Sequence, residues 1–97
     1  MEPVKKIEIV TNSVELGKVL ELLERVDVPG YTVIRNVIGK GDRGRASDDI
    51  EVTVLSNVYV MTVCTEEQVN KVVEAMRPIL KRFGGVCLIS DAQSVVH

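Results

Sequence analysis

At 97 residues the chain has room for one domain, residues 1–97. Hydrophobic residues make up 45% and charged residues 27%, which excludes a disordered segment, yet aromatics are only 3%, so Val, Ile and Leu must build the core. A formal net charge of −2 excludes a basic field that would draw the chain to nucleic acid or anionic lipid.

Val4 to Val10 reads as the first strand, with Ile7 and Ile9 on one face and Lys6 and Glu8 on the other. Thr11-Asn12-Ser13 then offers helix caps, and Asn12 with Glu15 has capping-box spacing. Leu16, Val19, Leu20, Leu23 and Val26 predict the buried stripe of a first helix. Glu15, Lys18, Glu21 and Glu24 are expected outside. Pro29 cannot continue this helix, and Gly30 permits the turn. Tyr31 to Ile38 is the second strand.

The character then changes. Gly39 to Asp49 holds three glycines, six charges and no large apolar residue, which predicts a mobile, solvated loop. Ile50 to Leu55 and Val58 to Cys64 follow as strand-like runs, either one bent strand or two pieces. Thr65-Glu66-Glu67-Gln68 predicts a second capping box. Val69, Val72, Val73, Met76, Leu80 and Phe83 mark the second helix, which Pro78 is expected to kink or split near Met76. Gly84-Gly85 ends it, and Val86 to Ala92 is the fourth strand. Residues 93–97 read as a short tail or a fifth edge strand.

The order β-α-β-β-α-β predicts an α+β, ferredoxin-like sandwich: one antiparallel sheet with both helices on one face. Tyr31-Thr32-Val33-Ile34 and Val58 to Val63 are apolar on both faces, which calls for burial on both sides. The chain has no second layer to supply, so a closed homo-oligomer with its sheets packed inward is expected.

Several chemistries find no footing. The lone His97 leaves no Ser-His-Asp or Cys-His set, and no His/Cys metal site. Asp48-Asp49 reads as a solvated acidic spot rather than an acid–base pair. The chain is therefore expected not to be an enzyme. Cys64 and Cys87 lie outside any C-x-x-C and read as buried free thiols, which suits the reducing cytoplasm. No apolar run reaches membrane-spanning length, and the N-terminus lacks a signal-peptide core. The sheet has only Tyr31 and Tyr59 to stack on RNA bases. The loop is more suggestive. Gly39, Gly41 and Gly44 allow close backbone approach to an anion, and Lys40, Arg43 and Arg45 bring positive charge. This suits phosphate, although no Walker A occurs. Gly84-Gly85 reads either as an ordinary helix end or as a backbone cradle.

Three motifs together carry a resemblance: Gly30-Tyr31-Thr32-Val33, Gly39-Lys40-Gly41-Asp42-Arg43-Gly44 and Phe83-Gly84-Gly85-Val86. In order and spacing the chain resembles the PII superfamily of signalling proteins. It looks closest to the short PII-like group linked to inorganic-carbon uptake, the SbtB-type and carboxysome-associated proteins. The resemblance implies a non-catalytic homotrimer that binds ADP, AMP or ATP in clefts between subunits, with bicarbonate as a co-ligand. By position, Gly39, Lys40, Gly41 and Arg43 would meet phosphate from a T-loop at about 40–56. Tyr31, Thr32 and Val33 would line the cleft, and Gly84, Gly85 and Val86 would add backbone groups from the neighbouring wall. Loop order would then report occupancy to a transporter or carboxysome-related partner. No Tyr lies between Gly39 and Ser56, so uridylylation is not expected. The rival expectations are a CutA-like or purely structural trimer without nucleotide, and an ACT-like module for a small molecule.

Overall fold

The computed structural model describes residues 1–39 and 56–97. Lys40, Gly41, Arg43 and the strand-like run Ile50 to Leu55 lie outside the described residues. Four strands and two α-helices alternate as β1 (Glu2–Asn12), a 3-10 turn (Ser13–Glu15), α1 (Leu16–Val26), β2 (Thr32–Val37), β3 (Asn57–Cys64), α2 (Glu66–Phe83) and β4 (Val86–Ser94). The sheet order is β2-β3-β1-β4, and every neighbouring pair is antiparallel. This is the expected ferredoxin-like α+β fold.

The core follows from the two periodicities. Ile7 and Ile9 of β1 and Val58, Val60 and Cys64 of β3 point to one side of the sheet. There they meet Leu16, Val19, Leu22 and Leu23 of α1 and Val69, Val72 and Met76 of α2. Leu22 lies outside the predicted stripe, while Phe83, which is in it, stays 39% exposed.

The capping box of α2 forms as expected: Thr65 N donates to Gln68 Oε1 at 2.9 Å, and Gln68 N donates to Thr65 Oγ1 at 3.2 Å. At the start of α1 the structure corrects the reading. Asn12 Oδ1 accepts from Val14 N at 2.9 Å and caps the 3-10 turn, so α1 begins only at Leu16. Glu15 does not reach back to the cap. It is buried instead of facing solvent, with Lys18 Nζ 3.6 Å from its Oε1.

Two further differences concern helix ends and proline. The residue that turns left-handed after α1 is Asp27 (φ 65°), not Gly30. Its N–H closes on the Glu24 and Leu23 carbonyls. Pro78 lies inside α2 without splitting it. Pro78 and Glu74, whose carbonyl loses its partner, are both exposed, so water can satisfy that group. The buried Val72 and Met76 keep the helix docked. At the other end of the chain, Gln93 and Ser94 extend β4 opposite Pro3 and Glu2. No fifth strand occurs among the described residues.

Candidate functional site

The predicted site residues fall into two groups at the two edges of the sheet. Thr32 and Val33 open β2, Tyr31 precedes them and Gly39 follows the strand. Gly84 and Gly85 link α2 to β4, which Val86 opens. Two strands, β3 and β1, separate β2 from β4. At the usual strand spacing the groups are roughly 14 Å apart. Gly39 and the Gly84-Gly85 link flank one end of the sheet, whereas Tyr31 and Thr32 stand at the opposite end of β2, with Thr32 level with Met61 and Glu8. The β2 end at Val37 and the β1 end at Asn12 both pair with Asn57, and Val86 pairs with Val10.

The β2 side is held by side chains from elsewhere. Thr62, buried in β3, donates its hydroxyl to the Gly30 carbonyl. The Tyr31 hydroxyl donates to Glu24 Oε2 at 3.2 Å, which ties the strand entry to α1. Near the strand exit, Ser13 N donates to Ser56 O at 2.9 Å. This bond pins residue 56, where the chain re-enters the sheet, to the 3-10 turn.

The β4 side is built from backbone. Gly84 (φ 81°) caps α2, its N–H donating to Leu80 O at 2.9 Å. Gly85 has φ 113°, and a Cβ there would lie 2.5 Å from the Val10 carbonyl oxygen. Only glycine lets this link pass so close to β1. Just before it, the Phe83 ring has Lys18 Nζ 5.2 Å and Arg82 Cζ 5.4 Å from its centroid. Two cations therefore cover the ring that immediately precedes Gly84. Sequence reading missed Lys18 here because it lies on α1, far along the chain. Thr11 Oγ1 and Glu15 Oε1 are buried at this end without a hydrogen-bond partner among the described residues.

The sheet face away from the helices bears on the site's assembly. Ile34, Tyr59, Val10 and Val86 form one row across it, and Thr32, Met61, Glu8 and Leu88 the next. Leu88 is 57% exposed and Ile34 52% exposed, a wide apolar surface for a single chain. Within it the Tyr59 hydroxyl donates to Glu8 Oε2 at 2.7 Å. This hydrogen bond, with smaller help from desolvation, holds the Tyr59 hydroxyl above its ordinary value of 10.0. A raised folded value means the contribution to stability is complete below about pH 10 and fades as pH rises through the folded value. We expect urea midpoints to fall in that alkaline window for the wild type, and to fall less for Tyr59→Phe. Equal alkaline losses in the two proteins would remove Tyr59 as the cause.

The described residues gather no three His, Cys, Asp or Glu side chains able to hold a metal ion. Cys64 and Cys87 are free thiols, and burial raises the values of both. None of the helices described is long and apolar enough to cross a membrane. A concavity of about 650 Å³ lies between Pro3, Lys5, Thr65 and Asp91, at the opposite end of the sheet from Gly39 and Gly84. Its rim is joined by the Lys5–Asp91 ion pair at 2.6 Å, so it offers no free charge cluster.

The βαββαβ order and the single four-stranded antiparallel sheet place the chain in the ferredoxin-like α+β class. The family model for nitrogen regulatory protein P-II matches residues 4–96, and the chain belongs to that family. Among curated proteins it is 31% identical over 74 residues to the UPF0166 protein MJ1524 of Methanocaldococcus jannaschii, covering 75% of this chain and 68% of that one. Among solved structures it is similar to CPII, a nitrogen regulatory PII-like protein of Thiomonas intermedia K12 solved with ADP, AMP and bicarbonate. The identity is 27% and the TM-score 0.84, over 98% of this chain and 96% of that one. The B. subtilis GlnK–ATP complex shares the fold at 20% identity and TM-score 0.68, over 95% and 84% of the two chains.

Proposed function

We propose that this chain is a non-catalytic sensor of adenine nucleotides, which it binds between the subunits of a homotrimer. The sheet order carries the reading. The two groups of predicted site residues sit on opposite edges of one sheet, so a single cleft walled by both lies at a subunit boundary. The apolar outer face supplies a surface for such an assembly. Tyr31, Thr32, Val33 and Gly39 of one subunit would face Gly84, Gly85 and Val86 of the next. Lys40, Gly41 and Arg43 would supply phosphate contacts from the loop. The adenine nucleotides and bicarbonate bound by CPII support this ligand class.

Binding neutralises the loop cations and orders the loop, which changes the surface offered to a partner. By resemblance that partner is a transporter or carboxysome-related protein of inorganic-carbon metabolism, met in the cytoplasm. Calorimetric titration with ADP, AMP and ATP, each with and without bicarbonate, tests the reading. Arg43→Ala is expected to weaken nucleotide binding by about 1.5–3 kcal/mol, the loss of a charged hydrogen bond. Unchanged affinity would remove Arg43 from the site. No heat and no thermal shift at millimolar nucleotide would favour a CutA-like structural trimer.

A further inference from the structure

β2 contains a conformation that no other strand among the described residues shares. Asn36 lies in the left-handed region, with φ 57°. Arg35 pairs with Val58 and Val37 pairs with Asn57, so Asn36 is an extra residue with no partner on β3. This is a β-bulge. Asparagine tolerates the left-handed region better than most residues, but still at some strain. The Asn36 side chain is exposed, so no buried contact of its own accounts for the conformation.

The consequence is one of parity. Val33 and Arg35 pair with Val60 and Val58, on the helix side of the sheet. In a regular strand Val37 would fall on that side too. The bulge instead pairs it with Asn57, on the outer side. A single residue therefore sets the face on which the chain leaves the sheet, three positions before Gly39. The returning stem is already pinned by Ser13 N to Ser56 O, and by Asn57 pairing with Asn12. The outgoing direction is left to Asn36.

We infer that Asn36 is a positioning residue for nucleotide binding: its bulge aims the Gly39 backbone at the phosphates. It acts through the chain direction rather than by contact with the ligand. The inference rests on the nucleotide reading above.

ADP titration of the wild type, Asn36→Gly, Asn36→Val and a deletion of Asn36 tests it. Melting temperature and sedimentation are measured alongside. Deleting Asn36 restores a regular ladder, so the deletion should fold, assemble as the wild type does and melt no lower. It should nonetheless bind ADP at least about tenfold more weakly. Asn36→Gly, which keeps the left-handed geometry at no steric cost, should bind within about threefold of wild type. Should the deletion fail to fold, Asn36→Val takes its place and should bind at least about fivefold more weakly than Asn36→Gly. A folded deletion, or in its absence Asn36→Val, that binds ADP as tightly as wild type overturns this inference alone. A wild type that takes up no ADP overturns the nucleotide reading and this inference with it.

Discussion

Gly85→Ala is expected to destabilise the fold by about 3 kcal/mol, a large share of the roughly 5–15 kcal/mol typical of a domain. Two effects act together. The φ of 113° is one that side-chain-bearing residues rarely adopt. The new methyl would also stand 2.5 Å from the Val10 carbonyl oxygen and 3.3 Å from Thr11 Oγ1. Neither neighbour can yield easily, because Val10 pairs with Val86 in the ladder and Thr11 is buried. β4 would have to peel from β1 at its first residue. Gly30→Ala is the control. A Cβ there meets nothing within 4 Å, and Gly30 has no positive φ. That substitution should change stability by no more than about 1 kcal/mol, in the stabilising direction. Urea denaturation of both variants checks the pair. A Gly85→Ala protein as stable as wild type would show that the link between α2 and β4 can relax.

Met61→Asp should split the assembly into monomers and abolish nucleotide binding together. Met61 sits half-buried on the outer face, in register with Thr32 on one side and Glu8 on the other. In a trimer with that face inward, the substitution buries three new carboxylates beside three existing ones. Each unpaired buried ion costs several kcal/mol, more than the assembly can offset. The monomer's own core lies on the opposite side of the sheet, around Ile9 and Val60, so the helical signal should remain. ADP affinity should fall by about 100-fold or more, because each site of the proposed trimer would lose one of its walls. Sedimentation and calorimetry read the two effects separately. A Met61→Asp protein that stays trimeric would place the subunit contact elsewhere. A monomer that still binds ADP with wild-type affinity would sink the shared-site reading.

The helix ends show how far residue patterns reach. Thr65 and Gln68 form the box that their spacing suggests, because both partners lie on one turn. Asn12 and Glu15 have the same spacing and do not. The difference is tertiary: Glu15 lies against the packed end of the sheet and is buried there, so the turn tightens to 3-10. Pro78 illustrates the converse. Its local rule predicts a kink or a split, but with Val72 and Met76 packed in the core the helix continues through an exposed proline. The candidate site was legible as residue types at Gly39 and Gly84-Gly85. Its supports at Thr62, Lys18 and Ser56 were not, since each comes from another element.

The order of strand and helix patterns already predicted a small α+β domain, the aliphatic strands predicted a sheet with surface left over, and the glycine-rich loop raised the expectation of a phosphate site. Those conclusions needed only neighbours within about four residues, whose contacts follow from helix and strand periods. The sheet order, the bulge at Asn36 and the left-handed links at Asp27 and Gly85 were decided by packing. They depend on pairings such as Lys5 with Asp91, 86 residues apart, where many registers compete and only the burial of one face selects among them. That selection put the two halves of the candidate site on opposite edges of one sheet.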